Sequence, residues 1–596
     1  MSQQDSMIDT SKMSAGERAA LELAESSRDT RELSGFAASL FDGSPDFSLI
    51  FPFPQYNGTD RGEGDAFLSK LRAFLEEHTD PDAIDREGEI PDSVIDGLAK
   101  LGAFGIKIPR KYGGLGLSQT NYSRCAKLLG GHCGNLTALL SAHQSIGLPQ
   151  PLLVFGTEEQ KQKYLTRCAA GAISAFALTE KDVGSDPARM KTEAVLSEDG
   201  SHYILNGEKL WCTNGLKAEA MIVMARTPTP EKQQATTAFI VEADWPGVEI
   251  VTRCHFMGLR ALYNGVIRFT DVKVPVENVV AAPGKGLRVA LTTLNTGRLT
   301  LPAACVGMLN RCLEMALTWS RERVQWGQEI GKHAAIAAKL ADLAADAFAT
   351  ESLVLFTSAL VDADHSADIR LEAAIAKLWG TEAGWRGVDA TMQIKGGRGY
   401  ETADSLRNRG ERPDPIERFM RDCRINTIFE GSTEIMHLFI AREALDPHLR
   451  RGAAALDSRK PTSVRLKTAL RAGLFYAGWY PARCLAVNQG IPADLDSELA
   501  ASLREVAGLS RKLARTIFHS MARHGAKLDR QQLLLGRLVN IGSELLTMSL
   551  SAARAHALGD PKSLQLARYI CHRGCRRVRG LFSDAVTSPD AEGYRL

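Results

Sequence analysis

The spacing of apolar positions along the 596-residue chain predicts helices on both sides of one stretch of strands. Over residues 64–173 the pattern is helical, as in DAFLSKLRAFLEEH, where Phe67, Leu71 and Phe74 recur on one face. From about 174 to 280, segments such as HYILNGEKLWCTNG and TTAFIVEADWPGVEIV are rich in β-branched residues and are interrupted by Asn-Gly or Pro-Gly, which is typical of strands joined by turns. Alanine- and leucine-rich helices follow over 285–445, and further helices run towards the C-terminus.

The order of these elements predicts an α+β protein that is mostly α. We expect an N-terminal helical domain, a middle antiparallel β-domain, a C-terminal four-helix bundle and an appended helical domain. A leader, with a helix at 14–31 and the extended segment PDFSLIFPFPQY, precedes them. The boundaries predicted for these five segments are 1–63, 64–173, 174–284, 285–445 and 446–596. No GxGxxG follows a strand and no GxxxxGK[ST] occurs, which argues against a Rossmann site and a P-loop.

Composition narrows the class of protein further. The chain is 44% apolar and 24% charged, as in soluble globular proteins, and we find no run of ~18 uncharged apolar residues that would span a membrane. The N-terminus has acidic residues and no basic-then-apolar signal, so we expect a cytoplasmic protein. Eleven cysteines without a CxxC pair indicate reduced thiols, and Cys571 and Cys575 beside one histidine are too few ligands to predict zinc.

Charge is unevenly distributed along the chain. Residues 451–596 hold 23 Lys and Arg against 11 Asp and Glu, a net charge of +12, whereas residues 1–450 carry −10. Within this basic tail, 464–484 (VRLKTALRAGLFYAGWYPARC) combines basic, leucine and aromatic residues, which suits a helix lying in an anionic lipid headgroup layer at the inner membrane. The alternative is an amphipathic helix packed on the preceding core. No nucleic-acid-binding module is recognised, and no nucleic acid partner is expected.

Two candidate sites lie in the predicted β-domain, the first of them at its start. In FALTEKDVGSD (176–186), Thr179 and Ser185 offer hydroxyls and Gly184 an accessible backbone for a phosphate or a polar ring edge; the alternative is an ordinary turn. In LWCTNG (210–215), Trp211 offers a flat face, with the Thr213 hydroxyl on the same side of a strand. The alternative for Trp211 is a buried core tryptophan.

The helical bundle contributes further candidates. In RVQWG (323–327) and QIKGGRG (393–399), adjacent glycines allow close approach of a ligand and Arg323 can pair with a phosphate; plain turns are the alternative. Arg298, in LNTGRLT, is either a substrate-contacting residue or a surface arginine. In RINTIFEGSTEIM (424–436), burial of Glu430 beside Ile428 and Phe429 would raise its pKa towards that of a useful general base. The alternative for Glu430 is a helix-initiating acid favoured by the helix dipole.

In this order, the segments resemble the acyl-CoA dehydrogenase family over about residues 45–445. TEKDVGSD is similar to the family's TEPxxGSD loop, LWCTNG to its W-x-(T/S)-N-G strand, QIKGG to its Q-x-x-GG turn and IFEGSTEI to its (Y/F)EGT segment. The resemblance is closest to the very-long-chain members. They share an FPFP-type segment, LGAFGIKIPRKYGGLGL, AHQSIG and an extra C-terminal helical domain.

The resemblance implies FAD-dependent α,β-dehydrogenation of a long-chain fatty acyl-CoA to the trans-2-enoyl-CoA, the first step of fatty acid β-oxidation. Glu430 would be the catalytic base, and the β-hydrogen would leave as hydride to the flavin N5. Electron-transfer flavoprotein is the implied electron acceptor, and a homodimer is implied because Arg323 and Gln325 reach the neighbouring subunit's FAD. The implied FAD contacts are Phe176, Leu178, Thr179, Ser185, Trp211, Cys212, Thr213, Arg323, Gln325, Gln393, Gly396, Gly397, Ser432 and Glu434. The implied acyl-CoA contacts are Ser185, Asn295, Arg298 and Gly431.

Some positions depart from the family pattern. Lys181 replaces the usual proline of the flavin loop, Lys395 stands where an apolar residue is common, and Ser432 replaces threonine but keeps the hydroxyl. The connection 402–415 (TADSLRNRGERPDP) is longer than usual and would alter subunit contacts. None of these changes removes an indispensable group.

The length of the substrate's acyl chain and the type of reaction each leave an alternative interpretation. The small residues Ala138, Ser141 and Ala142 would leave one helical face open to a long acyl tail, or they serve only close helix packing. An acyl-CoA oxidase shares the fold and base but passes electrons to oxygen. A non-catalytic flavin- or CoA-binding assembly factor would need neither Glu430 nor Arg298, and the presence of both favours an enzyme.

Overall fold

The computed structural model describes residues 33–56, 58–228, 235–456, 460–485 and 489–587. In the N-terminal part, helices and turns alternate with little strand. Its helices are α1 Phe36–Asp42, α2 Thr59–His78, α3 Pro81–Glu87, α4 Asp92–Lys100, α5 Gln119–Gly130, α6 Gly134–Ser141, α7 Pro149–Phe155, α8 Glu158–Gln160 and α9 Thr166–Ala169. Two π-helical turns, Ala142–Ile146 and Lys161–Leu165, interrupt this series.

The middle part is one eight-stranded sheet. Its strands are β1 Ser174–Ala177, β2 Glu193–Leu196, β3 His202–Cys212, β4 Ala220–Arg226, β5 Thr236–Glu242, β6 Val248–Arg253, β7 Gly265–Pro275 and β8 Val279–Val280. The order is β6-β7-β3-β2-β4-β5-β8, with β1 beside β4. Most pairs are antiparallel, as predicted, but β4 pairs in parallel with both β1 and β2. Strands β4 and β5 are almost wholly buried, which shows that apolar side chains pack on both faces of the sheet there.

Helices return after the sheet and continue to the end of the described chain. They are α10 Gly286–Gly297, α11 Thr300–Glu322, α12 Ala334–Ala363, α13 Arg370–Lys395, α14 Gly397–Tyr400, α15 Ala403–Asn408, α16 Ile416–Cys423, α17 Thr433–Leu456, α18 Thr462–Ala482, α19 Ser497–His524, α20 Gln532–Leu558 and α21 Pro561–Thr587. A small hairpin of β9 Val324–Gln325 and β10 Gln328–Glu329 links α11 to α12. One apolar core joins α11, α12, α13 and α17 to the appended helices α19–α21, so the appended part shares the core of the bundle. The mostly helical fold around a central β-domain confirms the predicted class.

The leader differs from its prediction. The helix predicted at 14–31 lies outside the described residues. Helix α1 was not predicted, and PDFSLIFPFPQY contains a 3-10 turn, Phe47–Leu49, rather than being extended throughout. Phe36, Phe47 and Phe53 are buried in the shared core, so this segment is a packed part of the fold. Helix α2 begins five residues before the predicted boundary, directly after Gly58 at φ +84°. The five predicted domain boundaries stay predictions.

Two helices, α12 and α20, are long and apolar enough to cross a membrane by length and composition alone. About 61% and 72% of their apolar windows are buried within the protein. Both contribute to the shared bundle core, which accounts for their apolar character.

Candidate active site

Glu430 lies in a tight turn between a 3-10 turn, Arg424–Thr427, and the start of α17. Both Glu430, at φ +53°, and Gly431, at φ +99°, adopt left-handed backbone conformations. The φ of +99° at Gly431 is one that residues with a side chain rarely adopt, so the turn favours glycine there; a Cβ would also lie 2.5 Å from Cε, at the flexible end of Met436. The acid in the first turn of α17 is Glu434, the second residue of that helix and four residues after Glu430. Glu430 is therefore not the helix-initiating acid of the structural alternative.

Glu430 is a half-buried residue whose carboxylate faces two cations. Burial raises its pKa, as predicted, whereas the charges of Lys377 and then Arg298 lower it. Its Oε2 atom is buried and has no hydrogen-bond partner among the described residues. The buried carboxyl of Glu372 also has an oxygen without a partner in the described part of the chain and a raised pKa. Glu430 differs from it in facing the two cations Lys377 and Arg298, and a carboxylate with a raised pKa in such a setting is a candidate for proton transfer.

Arg298 follows directly on α10 and is only 4% exposed, so the surface alternative is wrong. Its Nη1 donates a hydrogen bond to Asn295 Oδ1 at 3.0 Å, and its guanidinium lies 4.6 Å from the ring centre of Phe439. Burial lowers its pKa to about 10, against the influence of Glu430. Asn295, Arg298, Glu430 and Gly431 thus belong to one neighbourhood. Ser185, the fourth predicted acyl-CoA contact, is an exposed residue of the predicted flavin loop.

Trp211 is 56% exposed at the end of β3, so it is not the core tryptophan of the alternative. Its φ of +55° and a β-bulge between Lys209 and Cys212 break the strand's alternation. The prediction that Thr213 shares a strand face with Trp211 is therefore wrong, since the strand ends at Cys212 and Thr213 lies in the following turn. Cys212 buries its thiol, so only its backbone faces a ligand at this edge.

The predicted flavin loop is fixed by a buried ion pair that the sequence analysis missed. Glu180 accepts hydrogen bonds from the backbone N–H groups of Lys191 and Thr192 at 2.7 and 3.0 Å. It also accepts one at 2.8 Å from Nζ of Lys209, a fully buried residue of β3. Lys209 donates to the Leu178 carbonyl at 3.1 Å as well. This pair joins the flavin loop to the strand that ends in Trp211, while Lys181, the departure from proline, is exposed.

The half-buried and exposed residues of this edge form a continuous set of candidate contacts. Phe176, Leu178 and Thr179 are half-buried, and Ser185 and Trp211 are exposed. Nothing lies within 4 Å of a Cβ built on Gly184. The edge therefore offers hydroxyls, backbone and an aromatic face to a planar polar ligand.

A second exposed surface joins the hairpin and the Gln393–Gly397 turn. Arg323 and Gln325 are exposed on the hairpin, beside Trp326, which is 93% exposed. Gln393, Gly396 and Gly397 are exposed at the end of α13, and a Cβ on either glycine would meet nothing within 4 Å. The Trp319 ring connects the two segments, with the Arg323 guanidinium 5.9 Å and Lys395 Nζ 5.0 Å from its centre. Both segments are exposed, and their FAD contacts stay predictions beside the plain-turn alternative.

Two departures from the family pattern, Lys395 and the longer connection 402–415, form an ion pair with each other. Lys395 is 3% exposed, and its Nζ lies 2.5 Å from Oδ2 of Asp414, which is 5% exposed. Asp414 comes from the longer connection 402–415 and also pairs with Arg412 at 3.2 Å. The longer connection therefore supplies the charge that allows a lysine at a position where an apolar residue is common.

The prediction that Cys571, Cys575 and one histidine are too few ligands for zinc stays a prediction. Within the described ranges, no group of three or more His, Cys, Asp and Glu side chains is arranged to hold a metal ion. Cys571 and Cys575 are buried thiols that contact the carbonyl oxygen and the sulfur of Met548, respectively.

Comparison with known proteins places the chain in one class, the acyl-CoA dehydrogenases. The family models for the N-terminal, middle and C-terminal domains of acyl-CoA dehydrogenase match residues 62–172, 175–272 and 284–445. The chain belongs to this family, and it is an FAD-dependent oxidoreductase of the acyl-CoA dehydrogenase type.

Individual relatives match nearly the whole chain. It is 47% identical over 593 residues to the probable acyl-CoA dehydrogenase FadE10 of Mycobacterium tuberculosis, covering 97% of this chain and 90% of the relative. It is 33% identical over 586 residues to the human very long-chain specific acyl-CoA dehydrogenase, covering 95% and 85%.

Solved structures agree with the fold. An acyl-CoA dehydrogenase from Bacillus anthracis, complexed with FAD, is 26% identical with a TM-score of 0.75 and covers 93% of this chain and 92% of that chain. Butyryl-CoA dehydrogenase from Megasphaera elsdenii is 32% identical with a TM-score of 0.60 and covers 66% of this chain and 100% of that chain.

Proposed function

We propose that this protein removes the α- and β-hydrogens of a fatty acyl-CoA, producing the trans-2-enoyl-CoA, with Glu430 as the catalytic base. The observation that carries the proposal is the buried Glu430 carboxylate, which has an unpartnered oxygen and two cations nearby. A carboxylate whose pKa is raised by burial accepts a proton more readily than one in water.

The residues at the β3 edge and on the exposed bundle surface fit FAD. At the β3 edge, the Trp211 face and the hydroxyls of Thr179 and Thr213 suit the isoalloxazine ring. Arg323, Gln325, Gln393, Gly396 and Gly397 would hold the phosphates and adenosine of FAD in a second subunit, because all are exposed in the single chain. Ser432 and Glu434 are expected to contribute from the start of α17. Bound FAD supplies the acceptor for the β-hydride and a ribityl hydroxyl that polarises the thioester.

Groups of the protein itself accept the α-proton, stabilise the enolate and hold the substrate. The α-proton moves to a carboxylate oxygen of Glu430, and the backbone N–H of Glu430 donates to the thioester carbonyl, stabilising the enolate that develops there. The left-handed conformations of Glu430 and Gly431 fix the direction of both groups. Arg298 is buried, and its Nε has no hydrogen-bond partner among the residues that the structure describes, which suits a role in holding the acyl-CoA against the base. General-base catalysis contributes roughly 10²–10⁴-fold to such a step.

Product analysis tests this proposal against its two alternatives. Flavin-loaded protein, incubated with an acyl-CoA and an electron-transfer flavoprotein, should yield the 2-enoyl-CoA without consuming oxygen. Stoichiometric hydrogen peroxide in air would identify an oxidase instead. Acyl-CoA binding without any enoyl product under either condition would identify a non-catalytic assembly factor.

We further propose a long-chain substrate, and hence the first step of fatty acid β-oxidation. Ala138, Ser141 and Ala142 are small and buried, and Ala138 packs with Leu259 and Leu262, against Ile425 just before the catalytic turn. Larger residues here would project towards the acyl tail.

We expect kcat/KM to be higher for C16 than for C8 acyl-CoA. Ala138→Leu should lower the C16 value at least about tenfold more than the C8 value, because overfilling a packed site costs roughly 1–3 kcal/mol and the longer tail needs the space. Steady-state kinetics with both substrates measures this. Equal losses for both chain lengths would show that Ala138 serves helix packing alone.

A homodimer and a cytoplasmic location, with electron-transfer flavoprotein as the acceptor, complete the proposal. The dimer is supported by the strongly exposed side chains of Val324, Trp326 and Tyr400 around the outward-facing FAD-contact candidates. The bacterial relative supports the location, and the family supports the acceptor.

We also propose peripheral membrane contact through α18. The leucine face of α18, defined as Leu466, Leu470 and Leu474, is 66–71% exposed. Lys467 and Arg471 are exposed beside it. The aromatic residues that suggested lipid contact lie elsewhere: Tyr476 and Trp479 pack against His448 and Phe518 in the appended domain. A row of exposed leucines with adjacent cations suits an anionic headgroup layer.

Replacing all three leucines of this face by serine should abolish sedimentation with anionic vesicles and leave enzyme activity unchanged. The reason is that lipid affinity scales with the apolar area buried in the headgroup layer. Leu533→Ser with Leu558→Ser, at exposed leucines of α20, is the matched control and should sediment as the wild type does. Unchanged sedimentation of the triple variant would refute the membrane contact.

A further inference from the structure

Lys377 is a fully buried lysine of α13, 54 residues before the turn that holds Glu430. Its Nζ donates a hydrogen bond at 2.5 Å to the carbonyl oxygen of Gly431, the residue directly after the base. Among the described residues, no carboxylate lies within 4.0 Å of this Nζ, unlike the buried lysines Lys209 and Lys395, which each contact one. A lysine buried without such a contact is expensive to keep charged.

The carboxylate of Glu430 compensates for the cost of burying the Lys377 charge. Burial lowers its pKa to about 8, and the carboxylate of Glu430 is the largest influence in the opposite direction. The effect is reciprocal, since Lys377 is the first of the two cations that favour the ionised form of Glu430, with Arg298 second. Lys377 and Glu430 are thus a buried charge couple that is connected through the Gly431 carbonyl rather than by a direct ion pair.

We propose that Lys377 is a positioning residue of the catalytic turn: it holds the Gly431 carbonyl so that the left-handed turn aims the Glu430 carboxylate, and its charge keeps that carboxylate ionised and ready to take the α-proton. The proposal rests on Glu430 being the base. It assigns Lys377 two separable contributions, a hydrogen bond and a charge.

The other charged and titratable groups that face Lys377 and Glu430 do not mask the effect of Lys377 on the pKa of Glu430. Arg298 faces Glu430 from the end of α10 and stays charged, while Tyr122 faces it from α5. Cys305 of α11, Glu382 of α13 and Arg298 face Lys377. Burial raises the pKa values of Tyr122 and Cys305 to about 12, so both are neutral throughout the working range. Loss of the Lys377 charge leaves Arg298 alone to oppose the burial of Glu430, and the pKa of Glu430 must rise.

The test is the pH profile of kcat/KM for flavin reduction, which reports the pKa of the free enzyme's base. In Lys377→Met the acidic limb should move to higher pH by about one unit or more, which lowers kcat/KM about tenfold at pH values on that limb. The difference in kcat/KM between Lys377→Met and the wild type should disappear at alkaline pH, where Glu430 is ionised in both proteins. Lys377→Gln retains a donor for the Gly431 carbonyl without the charge, so it should show the same shift with a smaller loss of limiting kcat.

The matched control is Thr381→Val. Thr381 lies one turn along α13, and its buried hydroxyl donates a hydrogen bond to the Lys377 carbonyl. This variant should leave the acidic limb of the pH profile in place. An infrared titration of the Glu430 carboxyl band, identified by its loss in Glu430→Gln, reads the same shift without turnover. If both Lys377 variants keep the wild-type limb while Glu430→Gln is inactive, the inference is overturned. If Glu430→Gln itself reduces flavin normally, the proposed function has failed instead.

Discussion

Glu430→Gln is expected to bind FAD and acyl-CoA but to lose flavin reduction by at least about 10²–10⁴-fold. The amide keeps the shape of the side chain and the backbone N–H, but it cannot accept the α-proton. Rapid mixing of the flavin-loaded variant with acyl-CoA under anaerobic conditions measures the loss. In the wild-type protein, kcat/KM should rise with pH through the pKa of Glu430, which burial raises, because only the ionised carboxylate is a base.

The matched control for this prediction is Glu372→Gln. Glu372 is a second buried carboxyl, 1% exposed, whose pKa burial raises to about 7. It accepts a hydrogen bond from the Ala37 backbone at 3.1 Å, and is therefore engaged with α1 rather than with the catalytic turn. This variant should reduce flavin at the wild-type rate. A Glu430→Gln protein as fast as Glu372→Gln would reject Glu430 as the base.

Asp414→Asn is expected to destabilise the protein by about 3–5 kcal/mol, because it leaves the buried charge of Lys395 without its carboxylate. The loss should be much smaller in the double variant Lys395→Met with Asp414→Asn, which removes both charges. Denaturant unfolding of the three proteins measures the free energies. Since Lys395 lies directly before Gly396, the affinity of the apoprotein for FAD should fall in Asp414→Asn as well.

The exposed pair of Arg311 and Glu314 provides the comparison. Their side chains are 40% and 64% exposed and lie 2.7 Å apart, so Glu314→Gln should cost no more than about 1 kcal/mol. Equal effects of Glu314→Gln and Asp414→Asn would show that the longer connection does not depend on its pairing with Lys395.

The sequence predicts the elements of this fold well, because its apolar periods change from 3.6 to 2 and back at the edges of the sheet. The segment around Glu430 alone left the helix-initiating acid as an alternative, and the resemblance to the family indicated the base; the role of Glu430 stays a prediction. The error over Trp211 and Thr213 has a local cause, since a left-handed tryptophan and a bulge break the strand period and neither has a sequence signature.

The charge pairs were missed for a different reason. Lys209 and Glu180 are 29 residues apart, and Lys395 and Asp414 are 19 apart, so no local pattern connects them. Lys377 reaches the catalytic turn across 54 residues. The basic aromatic segment 464–484 predicted an amphipathic helix, but which face meets the protein was decided by Phe518 and His448, which lie on other helices.

The most direct test of the central claim is an anaerobic titration of the flavin-loaded protein with a long-chain acyl-CoA while the flavin absorbance is followed. The account predicts that the oxidised flavin band bleaches as substrate is added, with one enoyl-CoA formed per flavin reduced. A protein that takes up no flavin, or whose flavin stays oxidised with every acyl-CoA tested, would contradict it.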